Sequence, residues 1–341
     1  LKSEGEMNEI SDNAIIKLKE NTGFDIRVSD TKERKNGLIT IESERFLVDV
    51  KPEISRGNKG VVLSQLQEAS REENLPILLF THYIPSDIAK EYINVGINYA
   101  DTAGNCYIRG GSLSVIIQGK RIKRNPRVNQ ARAFQETGVK VIFQLLIDPK
   151  NSNKPYRKLA EMADVSLGSV SQIFKELEEL NFILRTKKQK LLKNRPELLK
   201  RWIMAYHDVM RPKLLLKRMD YIYPEDFSQW HKIMFYPTGE DITLWGNENA
   251  GALLTQQLNP ALHTIYTNAG WQDVSKNLKS HPAENGRIEI LRLPFTLNLK
   301  DEYHTRTVHP LLVYTDLMGS SDSRNIETTK LVYEQYLQHI K

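Results

Sequence analysis

Apolar residues first recur at helical spacing between Ile10 and Asn21, where Ile10, Ala14, Ile15 and Leu18 share a face. Three short β-rich runs follow, Phe24–Val28, Gly37–Glu42 and Phe46–Lys51, divided by polar turns as in a meander. Helical spacing returns from Gly60 to Glu73 with Val62, Leu63, Leu66 and Ala69 on one side, and the unbroken apolar run Leu75–Phe80 predicts a buried strand. A helix over Pro85–Val95 and strands near Ile97–Ala100, Cys106–Ile108 and Leu113–Ile117 complete a mixed α/β pattern. The next stretch, Gly119–Arg132, is basic and lacks periodicity, as a linker does.

Beyond it the pattern changes. An apolar helix is predicted over Val139–Ile147, and Pro155 stands where a second helix, YRKLAEMA, begins. Asp164, Val165 and Ser166 form a turn, with Ser166 as N-cap of a third helix over Leu167–Leu180. Phe182–Arg185 and Leu191–Leu192 flank the turn KKQK as a short hairpin, and Pro196–Arg211 is a connecting helix. From Met219 onward, strands at Ile242–Leu244, His263–Tyr266 and Arg287–Leu291 alternate with helices at Asn249–Gln257, Trp271–Leu278, Pro310–Leu317 and Ser323–Ile340. The expected organisation is an α/β domain over 1–122, a helical domain with its basic linker over 123–218, and a small α/β domain over 219–341.

Charge sharpens this division. The 341 residues carry a net charge of +6, yet Lys120 to Asp220 holds 24 basic and 10 acidic residues, leaving the remainder at −8. Clustered Lys and Arg point to a polyanionic partner. The single cysteine, Cys106, excludes a disulfide framework and a CxxC zinc site. With no long apolar run or secretory leader, a cytoplasmic location away from membranes is expected. No P-loop, HExxH or GxSxG signature is present.

The helix spacing in the basic region is that of a helix-turn-helix. Leu167, Val170, Ile173, Phe174, Leu177 and Leu180 form the buried stripe expected of the third helix. Its other side offers Gly168, Ser169, Ser171, Gln172 and Lys175, small or hydrogen-bonding groups that suit a major groove. Ser166 joins this DNA-binding set as the residue that opens the helix, and the hairpin adds Arg185, Lys187, Lys188 and Lys190 as phosphate-binding cations at a wing tip. The run RKLAEMADVSLGSVSQIFKELEELNFI resembles a bacterial winged helix-turn-helix.

In the first domain, FLVDVKPE puts Asp49 and Lys51 on one side of a strand, which resembles the D/E-x-K element of the restriction-endonuclease-like fold. In that chemistry carboxylates hold Mg²⁺ and the lysine assists the attacking water. Glu20 and Gln65 would complete the set, with Asp30, Glu42, Asn36 and Gln67 as other positions considered. An inactive version of the fold is expected. The alternative is a Mg²⁺-dependent DNA endonuclease, with Asp49 and Lys51 in its active site and the winged helix as targeting arm. Asp101 and Asn105, in GINYADTAGNCYI, are expected to shape a hairpin turn.

The stretches VDVKPE, NYADTAGNCYI, LWGNENAGALLTQQLNPALHTIYT, GRIEILRLP and HPLLVYTDLMGSSDSRNIETTKLVYEQYL together resemble AbiEi-type antitoxins of type IV toxin–antitoxin (abortive infection) systems. The likeness is to a long form with an additional N-terminal domain. The resemblance implies a transcriptional autorepressor that binds promoter DNA and needs no cofactor. It also implies a nucleotidyltransferase-like toxin as functional partner, countered without a stable complex. The C-terminal domain would carry the antitoxin role, with His309, Asp316 and Asn247–Gly251 as candidates. His309 reads more simply as a cap or core residue, and Trp230, Trp245 and Trp271 as core. Winged-helix repressors favour homodimers on palindromes, but no dimer face is legible.

Overall fold

The computed structural model describes residues 2–29, 37–121, 132–235, 241–295 and 306–341. The chain divides into two compact units, Leu1–Val128 and Asn129–Lys341. Both are mixed α/β structures, and no helix among the described residues is long and apolar enough to cross a membrane.

The first unit runs α1 (Lys2–Thr22), β1 (Ile26–Ser29), β2 (Gly37–Ile41), β3 (Glu44–Val50), α2 (Lys59–Glu73), β4 (Ile77–Thr81), α3 (Ser86–Asn94), β5 (Asn98–Asp101), β6 (Cys106–Gly110) and β7 (Leu113–Ile117). Its strands lie side by side in chain order. The central β3–β4 and β4–β5 pairs are parallel, whereas the flanking pairs are antiparallel. Side-chain alternation explains why both faces are covered. Leu47, Ile77, Leu79 and Tyr99 meet α2 and α3, while Phe46, Leu78, Phe80 and Ala100 meet Ile10, Ala14 and Leu18 of α1.

The second unit opens with a 3-10 turn at Arg132–Phe134, followed by α4 (Glu136–Ile147), α5 (Tyr156–Ala163), α6 (Leu167–Glu179), β8 (Ile183–Arg185), β9 (Lys190–Leu192) and α7 (Arg195–Ala205). It continues through β10 (Leu215–Tyr221), β11 (Thr243–Gly246), α8 (Asn247–Thr255), β12 (His263–Thr267), α9 (Trp271–Leu278), β13 (Ser280–Pro282), β14 (Ile288–Arg292), α10 (Pro310–Met318) and α11 (Ser323–Tyr336). A five-stranded sheet has the order β11-β12-β14-β10-β13, with β12 and β14 parallel. The basic strand β10 and the short β13 carry too little apolar alternation to be read beforehand. The predicted linker falls largely at 122–131, outside the described residues, but Arg132 already belongs to the folded unit.

The larger of this unit's two hydrophobic clusters runs from Ala133 and α4 through α6 and α7 to α8, α10 and Ile340, and the other joins Trp230, Trp245 and α9 to the far sheet face. Helix α4 is buried on nearly every side, as its all-round apolar sequence requires. Phe143 stacks on Phe295 at 4.0 Å and meets the edge of His309 at 5.6 Å. Trp202 of α7 donates its indole N–H to the Val139 carbonyl at 2.8 Å. A largely buried polar network ties the same parts together. Asp316 accepts from Tyr206 and Tyr266 at 3.1 and 2.8 Å, and Arg211 bridges Asp316 and Glu289 at 3.5 and 2.8 Å. Burial pushes the Asp316 carboxyl up, partly offset by Arg211 and the two phenols.

Candidate nucleic-acid interface

Helices α5 and α6 are joined by a turn whose Asp164 adopts φ +50°, ending α5 abruptly. Ser166 then caps α6, its Oγ accepting the Ser169 N–H at 3.1 Å. Val170, Ile173, Phe174 and Leu177 face the core. Leu167 does not: it is 49% exposed, because as the first residue of α6 it lies a turn beyond the packed stripe. Leu180, the C-cap, is half-buried.

The outward side of α6 carries exposed Gly168, Ser171, Gln172 and Lys175, with Ser169 half-buried beside its cap. Lys175 has Glu179 one turn along at 4.0 Å. Gln172 is not free in this state: its Oε1 accepts from Arg132 Nη1 at 2.7 Å, and Glu176 next to it accepts the Ala133 N–H at 2.8 Å. The turn at Arg132–Phe134 thus lies along α6, and Arg132 presents its charge beside the predicted reading face. Nothing in the pattern of the basic stretch distinguished Arg132 from its neighbours.

The hairpin divides its cations into two pairs. Arg185 and Lys190 face each other in the register pair next to the turn. Arg185 grips Glu178 at 2.7 Å and donates to the Tyr156 hydroxyl at 3.2 Å. Lys190 sits over the Tyr156 ring at 4.2 Å and near Phe174 at 5.1 Å. Burial, reinforced by Arg185, holds its ammonium below the usual lysine range. Asn153 fixes the backbone there by accepting the Lys190 N–H at 2.7 Å. These contacts pin the hairpin to α5 and α6. Lys187 and Lys188, in the turn closed by Thr186 and Gln189, are exposed and make no ion pair among the described residues. The supporting roles of Tyr156 and Glu178 escaped the sequence reading, since each looks like an ordinary helix residue.

The nuclease-type residues of the first unit are not gathered into one site. Lys51 pairs with Asp49 at 3.1 Å. Asp49 shares the sheet face of Leu47, under α2 and α3, whereas Glu20 lies on α1 across the sheet and pairs with Lys17 at 2.6 Å. Gln65 is on the exposed side of α2 and Gln67 is half-buried. Glu42 turns between β2 and β3 at φ +54° and accepts the Asp25 N–H at 2.8 Å. Asp30 and Asn36 lie outside the described residues. Among the described residues, no three His, Cys, Asp or Glu converge as a metal site would require.

The other singled-out residues have structural employment. Asp101 accepts the Ala103 and Asn105 N–H groups at 3.0 and 2.8 Å, closing the β5–β6 turn with Gly104 at φ +94°. His309 caps α10, its Nδ1 accepting from Leu311 at 3.0 Å. Glu248 accepts from Ala261 and Asn325, and Asn249 from Thr264, so NENAG anchors the loop leading to β12. Trp230 and Trp245 are core, while Trp271 is half-buried beneath Lys217.

Comparison with known proteins brings one family to this geometry. Residues 190–338 match the family described as transcriptional regulator, AbiEi antitoxin, type IV toxin–antitoxin system. The match begins in β9 and ends just past α11, so α4, α5 and α6 precede it. Over this stretch, less than half of its length, the chain is similar to the AbiEi antitoxin family. No curated protein matches the chain. No solved structure matches it either.

Proposed function

We propose that this chain, AbiEi-like from residue 190 to residue 338, is a promoter-binding autorepressor and antitoxin of a type IV toxin–antitoxin system. Helix α6 would enter the major groove and the β8–β9 hairpin would act as a wing. The observation that carries this reading is the capped α6 with Ser171, Gln172 and Lys175 exposed, set beside two hairpin lysines that pair with no carboxylate among the described residues. Such an arrangement combines groups for base edges with charge for phosphates. Arg132 joins the reader as a cation already hydrogen-bonded to Gln172. The C-terminal sheet and helices would carry protection against a nucleotidyltransferase-like toxin, acting on its effect rather than through a lasting complex.

The test is a titration of the full chain with its own promoter and a scrambled duplex, with and without Mg²⁺. Promoter-selective binding that leaves both duplexes intact is expected. Mg²⁺-dependent cutting lost in Asp49→Ala would replace this reading with a nuclease.

A further inference from the structure

The first unit contains a cavity of about 300 Å³ that none of these roles uses. It opens beyond the carboxyl ends of the parallel strands β4 and β5, the side on which open α/β sheets hold ligands. Tyr83 and Ile84 form an aromatic and apolar wall, and Tyr99 lies behind them. Lys120 and Arg121 bring two positive charges to the rim, and no carboxylate is among the described lining residues. Ser86 also lines it, so the amino end of the nine-residue α3, uncapped by any side chain, opens on the same space.

The rim is built rather than incidental. Asn105 accepts the Lys120 N–H at 2.8 Å and donates to the Lys120 carbonyl at 3.1 Å. Asn105 is held in turn by Asp101 at 2.8 Å. The unusual NYADTAGN turn therefore fixes the backbone of the segment after β7 that lines the cavity. Tyr99 supplies an independent sign of a ligand. The residue is fully buried, yet its hydroxyl meets only Gln118 Nε2, as acceptor, at 3.5 Å. That long contact is the one hydrogen bond of its hydroxyl among the described residues, at a cavity wall. Burial pushes the phenol up, so it keeps its proton at neutral pH.

We propose that this cavity is a binding site for a nucleoside monophosphate. The planar base lies against Tyr83 and Ile84, a ligand oxygen accepts a hydrogen bond from the Tyr99 hydroxyl, and the phosphate meets Lys120, Arg121 and the α3 amino end. A volume at the low end of small-molecule sites suits one nucleotide and excludes a dinucleotide. The assignment is independent of the DNA-reading proposal, which rests on the other unit.

The experiment is calorimetric titration of the full chain with AMP, GMP, CMP and UMP, alongside adenosine and inorganic phosphate. At least one monophosphate is expected to bind with unit stoichiometry. Tyr99→Phe, which keeps the ring, should weaken it about tenfold or more, the worth of one hydrogen bond to a charged group. Lys120→Gln with Arg121→Gln should weaken it further, and adenosine should bind far less well than AMP. Unfolding midpoints of the ligand-free variants check that each is folded. Binding by no monophosphate, unchanged affinity in Tyr99→Phe, or inorganic phosphate binding as tightly as any nucleotide would each overturn the proposal.

Discussion

Replacing Lys187 and Lys188 with alanine separates the two turn lysines from the Arg185–Lys190 pair that flanks them. Both side chains are exposed and make no ion pair among the described residues, so their removal leaves those contacts untouched. On duplex DNA each neutralised phosphate adds about 0.9 to the slope of log affinity against log salt, so the double variant should lose about 1.8. Between 50 and 200 mM salt this means that the wild type loses about 12-fold more affinity than the variant does. Arg185→Ala makes the contrast, because Arg185 is committed to Glu178 and Tyr156. It should loosen the hairpin and change the slope by less than the tip pair. Fluorescence anisotropy on promoter and scrambled duplexes across a salt series supplies the slopes. The reasoning fails if the tip variant keeps the wild-type slope while Arg185→Ala removes it.

Further outcomes concern the reading face and the core. Gln172→Ala with Lys175→Ala should weaken promoter binding more than binding to scrambled DNA, measured in the same titrations; equal loss on both would dismiss α6 as the reader. Phe143→Ala should cost about 3–5 kcal/mol in urea denaturation, since it empties a fully enclosed ring site stacked on Phe295. His263, enclosed by Phe227, Trp230 and Trp245, has its pKa pushed down to about 3, by burial first and by Arg287 second. The unfolded chain therefore takes up this proton first, near pH 6.5, and stability falls with acidification from there toward pH 3. From pH 6.5 to 5 the loss is about 2 kcal/mol, to be seen in paired urea melts and reduced in His263→Phe. Gly138→Ala should also destabilise, because a Cβ there would stand 2.1 Å from the Ala133 carbonyl oxygen; an unchanged melting temperature would refute that packing.

The elements that could be read beforehand were those whose pattern is local. The α2 face of Val62, Leu63 and Leu66 and the α6 face of Val170, Ile173, Phe174 and Leu177 follow from helical spacing, and both face the core. Ser166 was legible as a cap because only short polar side chains reach back to an N–H three residues on. What escaped depends on partners distant in the chain. Strand β10 is defined by β13 and β14, more than sixty residues later, and its own LLKRMDY offers little alternation. Arg185 and Lys190 read as free phosphate-binding cations because charge alone does not reveal that Glu178 and Tyr156 await them. Asp49-x-Lys51 has the spacing of a nuclease element, but spacing does not say that the two will pair with each other.

The continuous core under α4 has a consequence for how the protein is turned over. Phe143, Trp202, Phe295 and His309 belong to one packed body, and the C-terminal His339 accepts no boundary: its ring meets the Leu146 carbonyl at 2.9 Å. A protease that begins to unravel this body around α11 pulls on α4, in the same core as α6. On the proposed function, promoter release and loss of protection then become a single event in time. A cell degrading the antitoxin would restart its synthesis at the moment the toxin is unchecked, without any separate sensor to join the two.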